Sequence, residues 1–595
     1  MRFRTILGSL ALTCAATLLP SAGAAMADDL PSWVADQGDG TYVNPVVGSD
    51  YSDPDVIRVG DDYYLTASSF ANAPGLPILH SRDLVNWRII GHALPRNRPE
   101  GHFTTPRRGG GVWAPAMVHH AGEFRIYWAD PDYGIQMVRA VDPTGPWSDP
   151  ILVSDTKGAI DPSPLFEEDG RAWLVHAYAQ SRAGFQNVIE LRQLDSEGTR
   201  TVGEPVRIIA ADELPAPATS IGQRPWQTTE GPKLYKHDGW YWIFAPSGSV
   251  KGGWQGVFRA RTIEGPWEGR NVLDQGATEI NGPHQGSWVR TPQGEDWFLH
   301  FQDTDSYGRR LYLEPMSWQD GWPVIGVDPD GDGIGQPVLC YRKPQAPAQT
   351  RITPEIDDEF DEGHNLTWQW QANPNADWLS DDGPDGWLRL RSAATPQNLW
   401  DAGNLLSRKL PAERFQATTR MRFSPLRKGE RAGLAVFGMN YGWIGARKEG
   451  EAILLTRETR RNAHLQAPAE IVTGPAVQPG QDLWLRATLA PITVAEPEPS
   501  FSPWWPSMLR SRHARVAMEY SLDGVTFHLL GPSFESRPGR WVGAQLAIFA
   551  QAPAGTPAYS ATTVGHADFD WFRMADVPAQ PNAHDSHAAC AAPLR

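Results

Sequence analysis

The sequence predicts an all-β protein: a five-bladed β-propeller followed by a β-sandwich. Three observations carry this. The composition holds 57 Gly, 52 Pro and 26 Trp in 595 residues, which suits many short strands joined by turns better than helices. In the first half, five segments share one texture, a turn followed by an aromatic-rich strand: GDDYYL near Tyr63, AGEFRIYW near Phe124, EDGRAWLVH near Trp173, HDGWYWIF near Trp240 and QGEDWFLHF near Trp297. Their spacings of 61, 49, 67 and 57 residues suit one four-stranded antiparallel sheet per repeat. A single small sheet cannot bury both faces, whereas radially stacked blades can. Beyond a Pro-rich break, a second strand-rich half begins with no such repeat, as a sandwich would.

Taken in chain order, residues 1–27 read as an export signal. Arg2 and Arg4 precede an apolar run, and Ala25-Met26-Ala27 offers a small-x-small cleavage site. The run is short for a membrane span and broken by Ser, Thr and Pro. A secreted or periplasmic protein is expected. Cleavage removes Cys14 and leaves Cys340 and Cys590, read here as two unrelated thiols rather than a bridge. The formal charge of -16 argues against nucleic acid and against anionic membrane surfaces. A neutral small molecule or neutral polymer fits better.

Residues 40–343 form the propeller. In a propeller the first strand of each blade lines the axis. Counting back ten to thirteen residues from each aromatic strand finds Asp53, Ala114-Pro115, Asp161, Glu230 and His284. Four of these five equivalent places are ionisable. Three carboxylates and a histidine converging on one axis suit acid–base work on a hydroxylated ligand. Glycosidic cleavage needs one acid to protonate the leaving oxygen and one carboxylate to activate water, and a neighbouring negative charge keeps the acid protonated. Asp55 is awkward, because strict strand alternation puts it on the face of Asp53. Acidic pairs in turn sequence, Asp61-Asp62 and Glu167-Glu168, are expected in solvent.

At these residues the chain resembles glycoside hydrolase family 43, the inverting β-xylosidases, α-L-arabinofuranosidases and arabinanases built on five-bladed propellers. NPVVGSDYSDPDVIRVGDDYYLTASSF, SRDLVNW, GGGVWAPAM, IDPSPLFEEDGRAWLV and TEGPKLYKHDGWYWIF follow in the family's order. The resemblance implies Asp53 as general base, Glu230 as general acid and Asp161 as the carboxylate that raises and orients the acid. It implies Arg309 as a sugar-binding arginine, with Arg310 turned to the other face, and Trp113, Phe70 and His284 as further sugar-facing groups. No cofactor is required for this chemistry. In some relatives a histidine like His284 is linked to a water-held calcium or sodium ion. After Phe70 the bulky aromatics of the xylosidases are replaced by Ala71, Asn72 and Ala73, and DELPAPATSIGQRPWQ reads as a longer loop before Glu230.

A linker is expected over 344–355, a sandwich over 356–576 and a disordered tail over 577–595. The second half resembles the concanavalin- or laminin-G-like domain (a jelly-roll sandwich) that follows many family 43 propellers, where a loop can reach the pocket and favour release of single sugars. Asp358 with Asp568 or Asp570 is a candidate structural calcium site. The stretch 493–513, with Trp504 and Trp505, has no assignable role. The function expected is an exported inverting hydrolase that removes terminal xylose or arabinose from xylo-oligosaccharides or arabinoxylan. Alternatives are a non-catalytic carbohydrate-binding protein, or a relative acting on galactan or arabinan.

Overall fold

The computed structural model describes residues 30–280, 282–347, 349–496, 509–556 and 564–578. The expected signal segment, Cys14, Cys590, Trp504, Trp505 and nearly all of the expected tail lie outside them.

Five four-stranded antiparallel sheets follow one another along the first half, each in simple sequential order. Their innermost strands are Asp55–Val59, Trp113–His120, Ala159–Phe166, Lys233–His237 and His284–Arg290. Each aromatic segment of the repeat forms the second strand of its blade, and its rings pack between blades. Phe244 stacks between Trp288 and Phe298 of the fifth blade at 6.0 and 5.9 Å.

Side chains on the inner strands tie neighbouring blades together. Asp55 accepts the Met117 N–H (2.6 Å), Ser163 the Leu234 N–H (3.0 Å), Tyr235 the Trp288 N–H (3.0 Å) and Ser287 the Val56 N–H (2.8 Å). Ring closure comes from the entering chain. Tyr42 donates to the Leu313 carbonyl (2.7 Å), and Val47 bridges Leu311.

Two expectations are corrected here. Glu167 does not face solvent. The next blade supplies Lys236 (2.5 Å) and Tyr241 Oη (2.6 Å), and Trp173 Nε1 donates from its own blade (3.0 Å). Those donors hold its carboxyl down at about 2 against the opposing effect of burial. Cys340, on the strand Cys340–Arg342 that pairs with Thr41–Val43, is disulfide-bonded rather than an unrelated thiol.

The second half is two eight-stranded sheets face to face. The alternating burial of Phe415–Ser424 sends Phe415, Ala417, Met421 and Phe423 into the shared core. The expected calcium ligands do not converge. Asp358 accepts from the Phe360 and Asn365 backbone and from Trp368 Nε1 (2.9 Å). Asp568 is held by both arms of Arg389 (2.6 and 2.9 Å), and Asp570 by Arg420 (2.8 Å). Asp570 sits at a bulge in the pairing, which breaks the two-residue alternation that brought it beside Asp568 on paper. Among the described residues, the one triplet with ligand atoms within 4.8 Å is Asp328, Asp330 and Asp332.

The described residues of sandwich and propeller belong to one compact unit. Ala73 and Trp370 exchange backbone hydrogen bonds (3.0 and 2.6 Å), and Arg310 pairs with Glu413 (2.7 Å). Arg310 therefore belongs to this seam, as expected of the arginine turned away from the axis.

Candidate active site

Asp53 precedes its inner strand and has φ 54°, in the left-handed region that bulky residues avoid. Ala114 (35°), Asp161 (57°) and Gln285 (40°) do the same at the matching ends of their blades. In those three blades the pairing slips at the same place, between Trp113 and Ala116, Ile160 and Ser163, and His284 and Gly286. Each kink costs about 1–3 kcal/mol and survives because surrounding contacts over-determine it.

The kink also settles the Asp53–Asp55 ambiguity. It breaks the two-residue alternation, so Asp53 and Asp55 do different work. Asp55 receives the Met117 N–H and lies 3.3 Å from Lys233 Nζ, a side chain only 4% exposed. It is a strut between blades. Replacing Asp55 by Ala strands that buried ammonium, and we expect a loss of about 3–5 kcal/mol in stability. Thermal unfolding of Asp55→Ala beside Asp55→Asn measures it; Asn retains the hydrogen-bonding shape and keeps more of the stability.

Asp53 is held by two hydroxyls and an arginine. Ser52 Oγ (2.7 Å) and Ser68 Oγ (2.5 Å) reach Oδ2, and Arg309 Nη1 lies 3.4 Å from Oδ1. Ser68 Oγ also accepts the Ala114 N–H (2.7 Å), so one hydroxyl fixes Asp53 to the second blade. Arg309 Nη1 donates to Ser52 Oγ (2.6 Å), its Nε lies 3.6 Å from Asp303, and its guanidinium covers the Phe301 ring at 4.8 Å.

Glu230 follows Thr229, whose N–H is held by Asn187 Oδ1 (2.9 Å) and whose hydroxyl meets Ser247 Oγ (2.7 Å). Its side chain is 28% exposed, open enough to meet a ligand. Burial first, then the charge of Asp53, pushes its carboxyl up to about 7. Asp161 accepts the Gly231 N–H (2.7 Å) and so holds the backbone next to Glu230. Gly231 is required there: φ is 63°, and a Cβ would meet the Gln285 side chain at 2.8 Å. Burial, then Glu230, then Asp53 drive the Asp161 carboxyl upward. Glu230 and Asp161 are thus both pushed upward, by burial first and then by the negative charges that share the axis.

His284 is 1% exposed, with Nε2 3.4 Å from Glu230 Oε1 and neither ring nitrogen hydrogen-bonded. Burial, then Arg309, lowers its pKa to about 3, so the imidazole is neutral.

With this geometry in place, similarity to known proteins is informative. The pattern of Glycosyl hydrolases family 43 matches residues 42–323, and that of the Beta xylosidase C-terminal Concanavalin A-like domain matches residues 357–575. A provisionally named beta-xylosidase of Xylanibacter ruminicola is 34% identical, over 88% of this chain and 89% of its own. The chain belongs to glycoside hydrolase family 43. A beta-xylosidase of Formosa agariphila is 28% identical over 91% of both chains. The crystal structure of a family 43 protein from Bacillus licheniformis superposes with TM-score 0.73 at 25% identity, covering 90% of this chain and all of that one. The protein is a glycosidase.

The mouth of this family 43 enzyme is built from both domains. Trp113 donates from Nε1 to the Gly109 carbonyl (2.9 Å) and meets Phe70 edge-on at 6.4 Å. Phe70 is 5% exposed with φ 49°, so it packs behind Trp113 more than it faces ligand. The sandwich contributes Trp541, which the sequence reading missed. It sits 6.3 Å from the Trp113 ring and 5.7 Å from the Arg309 guanidinium, is 45% exposed, and has φ 64°. Its loop is anchored by Asp50, which accepts the Gly543 N–H and the Arg309 N–H (2.8 Å each). One carboxylate therefore sets both Arg309 and the loop that carries the sandwich tryptophan. Nothing local marks Trp541, which is 428 residues from Trp113 in sequence. The long strand Leu509–Ser521 is pinned nearby, where Arg512 donates its N–H to Asp305 (2.9 Å).

Proposed function

We propose that this enzyme hydrolyses terminal xylose or arabinose from xylo-oligosaccharides or arabinoxylan with inversion at the anomeric carbon. The observation that carries the reading is the pairing of Glu230, protonated up to about pH 7, with Asp53, which accepts from Ser52 and Ser68 just before the inner strand of another blade. Asp53 takes a proton from water as its oxygen attacks the anomeric carbon. The C–O bond breaks towards the leaving sugar, whose oxygen receives the Glu230 proton. Asp161 holds the Gly231 backbone and so aims Glu230, and Arg309 binds hydroxyls of the terminal sugar. The substrate class is supported by relatives named beta-xylosidase and by a non-reducing end alpha-L-arabinofuranosidase of Bacteroides ovatus, 29% identical over 71% of this chain and 79% of its own. A water-held cation on the axis would find a neutral nitrogen with a free lone pair in His284; bound there, it would add positive charge beside Glu230.

The decisive experiment is proton NMR of xylobiose hydrolysis at early times. The α-anomer is expected first, and first appearance of the β-anomer overturns inversion. A panel of nitrophenyl xyloside, arabinofuranoside and galactoside then ranks the sugars.

Removal of single sugars is supported by Trp541 at the mouth beside Arg309. Trp541→Ala is expected to lower kcat/KM for xylobiose about tenfold, mostly through KM, through the loss of aromatic contact area. Chain-length profiles with xylotriose and longer substrates check it. Export is supported by Arg2, Arg4, the apolar run and the Cys340 disulfide, a bond that persists in oxidising compartments. N-terminal sequencing of the mature protein tests it, with cleavage expected after Ala27.

A further inference from the structure

One outward face of the sandwich carries an open groove of about 360 Å³ made only of second-half residues. Its floor runs along the strand Phe415–Ser424, where Gln416 and Thr418 share one face. Its walls stand on the flanking strands. Across the sheet, Arg420 has Trp571 opposite on one side and Trp484 on the other, so the two indoles are two strands apart. Arg420 stands between them and closes that end of the groove, so the open space lies over Gln416 and Thr418 with both indoles lining it. Phe527 adds a third ring to the wall.

These rings are only partly buried, and each is braced by a guanidinium. Arg573 lies over Trp571 at 4.5 Å, Arg486 over Phe527 at 3.4 Å and Arg420 over Trp484 at 5.4 Å. Braced rings lose little freedom when a ligand arrives. Charge is balanced across the face. Arg420 pairs with Asp482 and Asp570, Arg573 pairs with Glu359, and Arg486, hydrogen-bonded to Thr418 Oγ1 (3.2 Å), has Glu519 opposite it in the sheet. A polyanion gains no net attraction there. An uncharged chain with apolar ring faces and hydroxylated edges meets aromatic walls and a floor of amide and hydroxyl groups. Partly exposed aromatics grouped in this way mark an interaction site.

We propose that this groove is a second glycan-binding site, which holds one strand of an uncharged polysaccharide while the propeller trims chain ends. The choice of xylan as its polymer rests on the function proposed above.

The test is retention of the full-length enzyme in native gels containing soluble xylan, with excess xylose present to occupy the catalytic pocket. Arabinan and galactan serve as comparison polymers. The wild type is expected to be retarded. Trp571→Ala and Trp484→Ala are each expected to weaken retention about tenfold, while turnover of nitrophenyl xyloside stays within twofold. Thr418→Trp fills the floor from a surface position and gives the same loss should either indole variant fail to fold. Absence of retardation on all three polymers, or retardation equal in every variant, overturns the proposal. So does size-exclusion evidence that the substitutions dissociate an oligomer, because a second copy would then own this face. Retention on a polymer whose sugars the enzyme does not cleave leaves the groove standing and refutes the xylan reading alone.

Discussion

Asp53→Asn is expected to lower kcat about 1,000- to 10,000-fold on every substrate, whatever the leaving group, because the water then has no base. The fold should hold. An Asn at 53 still meets Ser52, Ser68 and Arg309, and the strain at φ 54° suits Asn as well as Asp. Unchanged thermal unfolding beside a collapsed kcat establishes the role. A variant that keeps more than a tenth of wild-type turnover shows that another group activates the water.

Glu230→Gln is expected to act selectively. With xylobiose, whose leaving oxygen needs a proton, the loss is about 100- to 10,000-fold. With dinitrophenyl xyloside, whose leaving group departs unaided, most of kcat survives. The pH profile carries the same signature with a defined sign. The active form is the protonated acid, and burial with the Asp53 charge raises its pKa to about 7. Activity is therefore held below that pH and lost as the pH rises through it. In Glu230→Gln this alkaline limb should vanish, and its persistence would assign the titration elsewhere. Asp161→Asn should loosen the aim of Glu230 through Gly231, read as a lower kcat with xylobiose.

The seam between the domains explains why the site depends on both. Asp50 is buried, and its carboxylate spans the Arg309 and Gly543 backbone while its carbonyl accepts from Lys409 of the sandwich. Its carboxyl is driven up by burial, against the opposing pull of Lys409. Asp50, in the loop before the first blade, is thus the joint that sets Arg309 relative to a tryptophan from the sandwich.

The repeat, its phase and the axial ring of Asp53, Asp161, Glu230 and His284 are legible in the sequence, because strand period and blade length are local properties that recur five times. Distinguishing Asp53 from Asp55 is only half legible. Alternation treats them alike, and the left-handed kink that separates them arises from contacts with other blades. The buried role of Glu167 is hidden for the same reason, since its partners Lys236 and Tyr241 lie some 70 residues away. Asp358, Asp568 and Asp570 suggest a metal site as letters, and Trp368, Arg389 and Arg420 take them up in space. Local pattern determined the two all-β domains and the carboxylates on the axis. Tertiary structure alone decided which carboxyls keep a proton, where Trp541 stands and which face of the sandwich stays open, because burial, mutual charge and inter-domain contact exist only once distant segments meet.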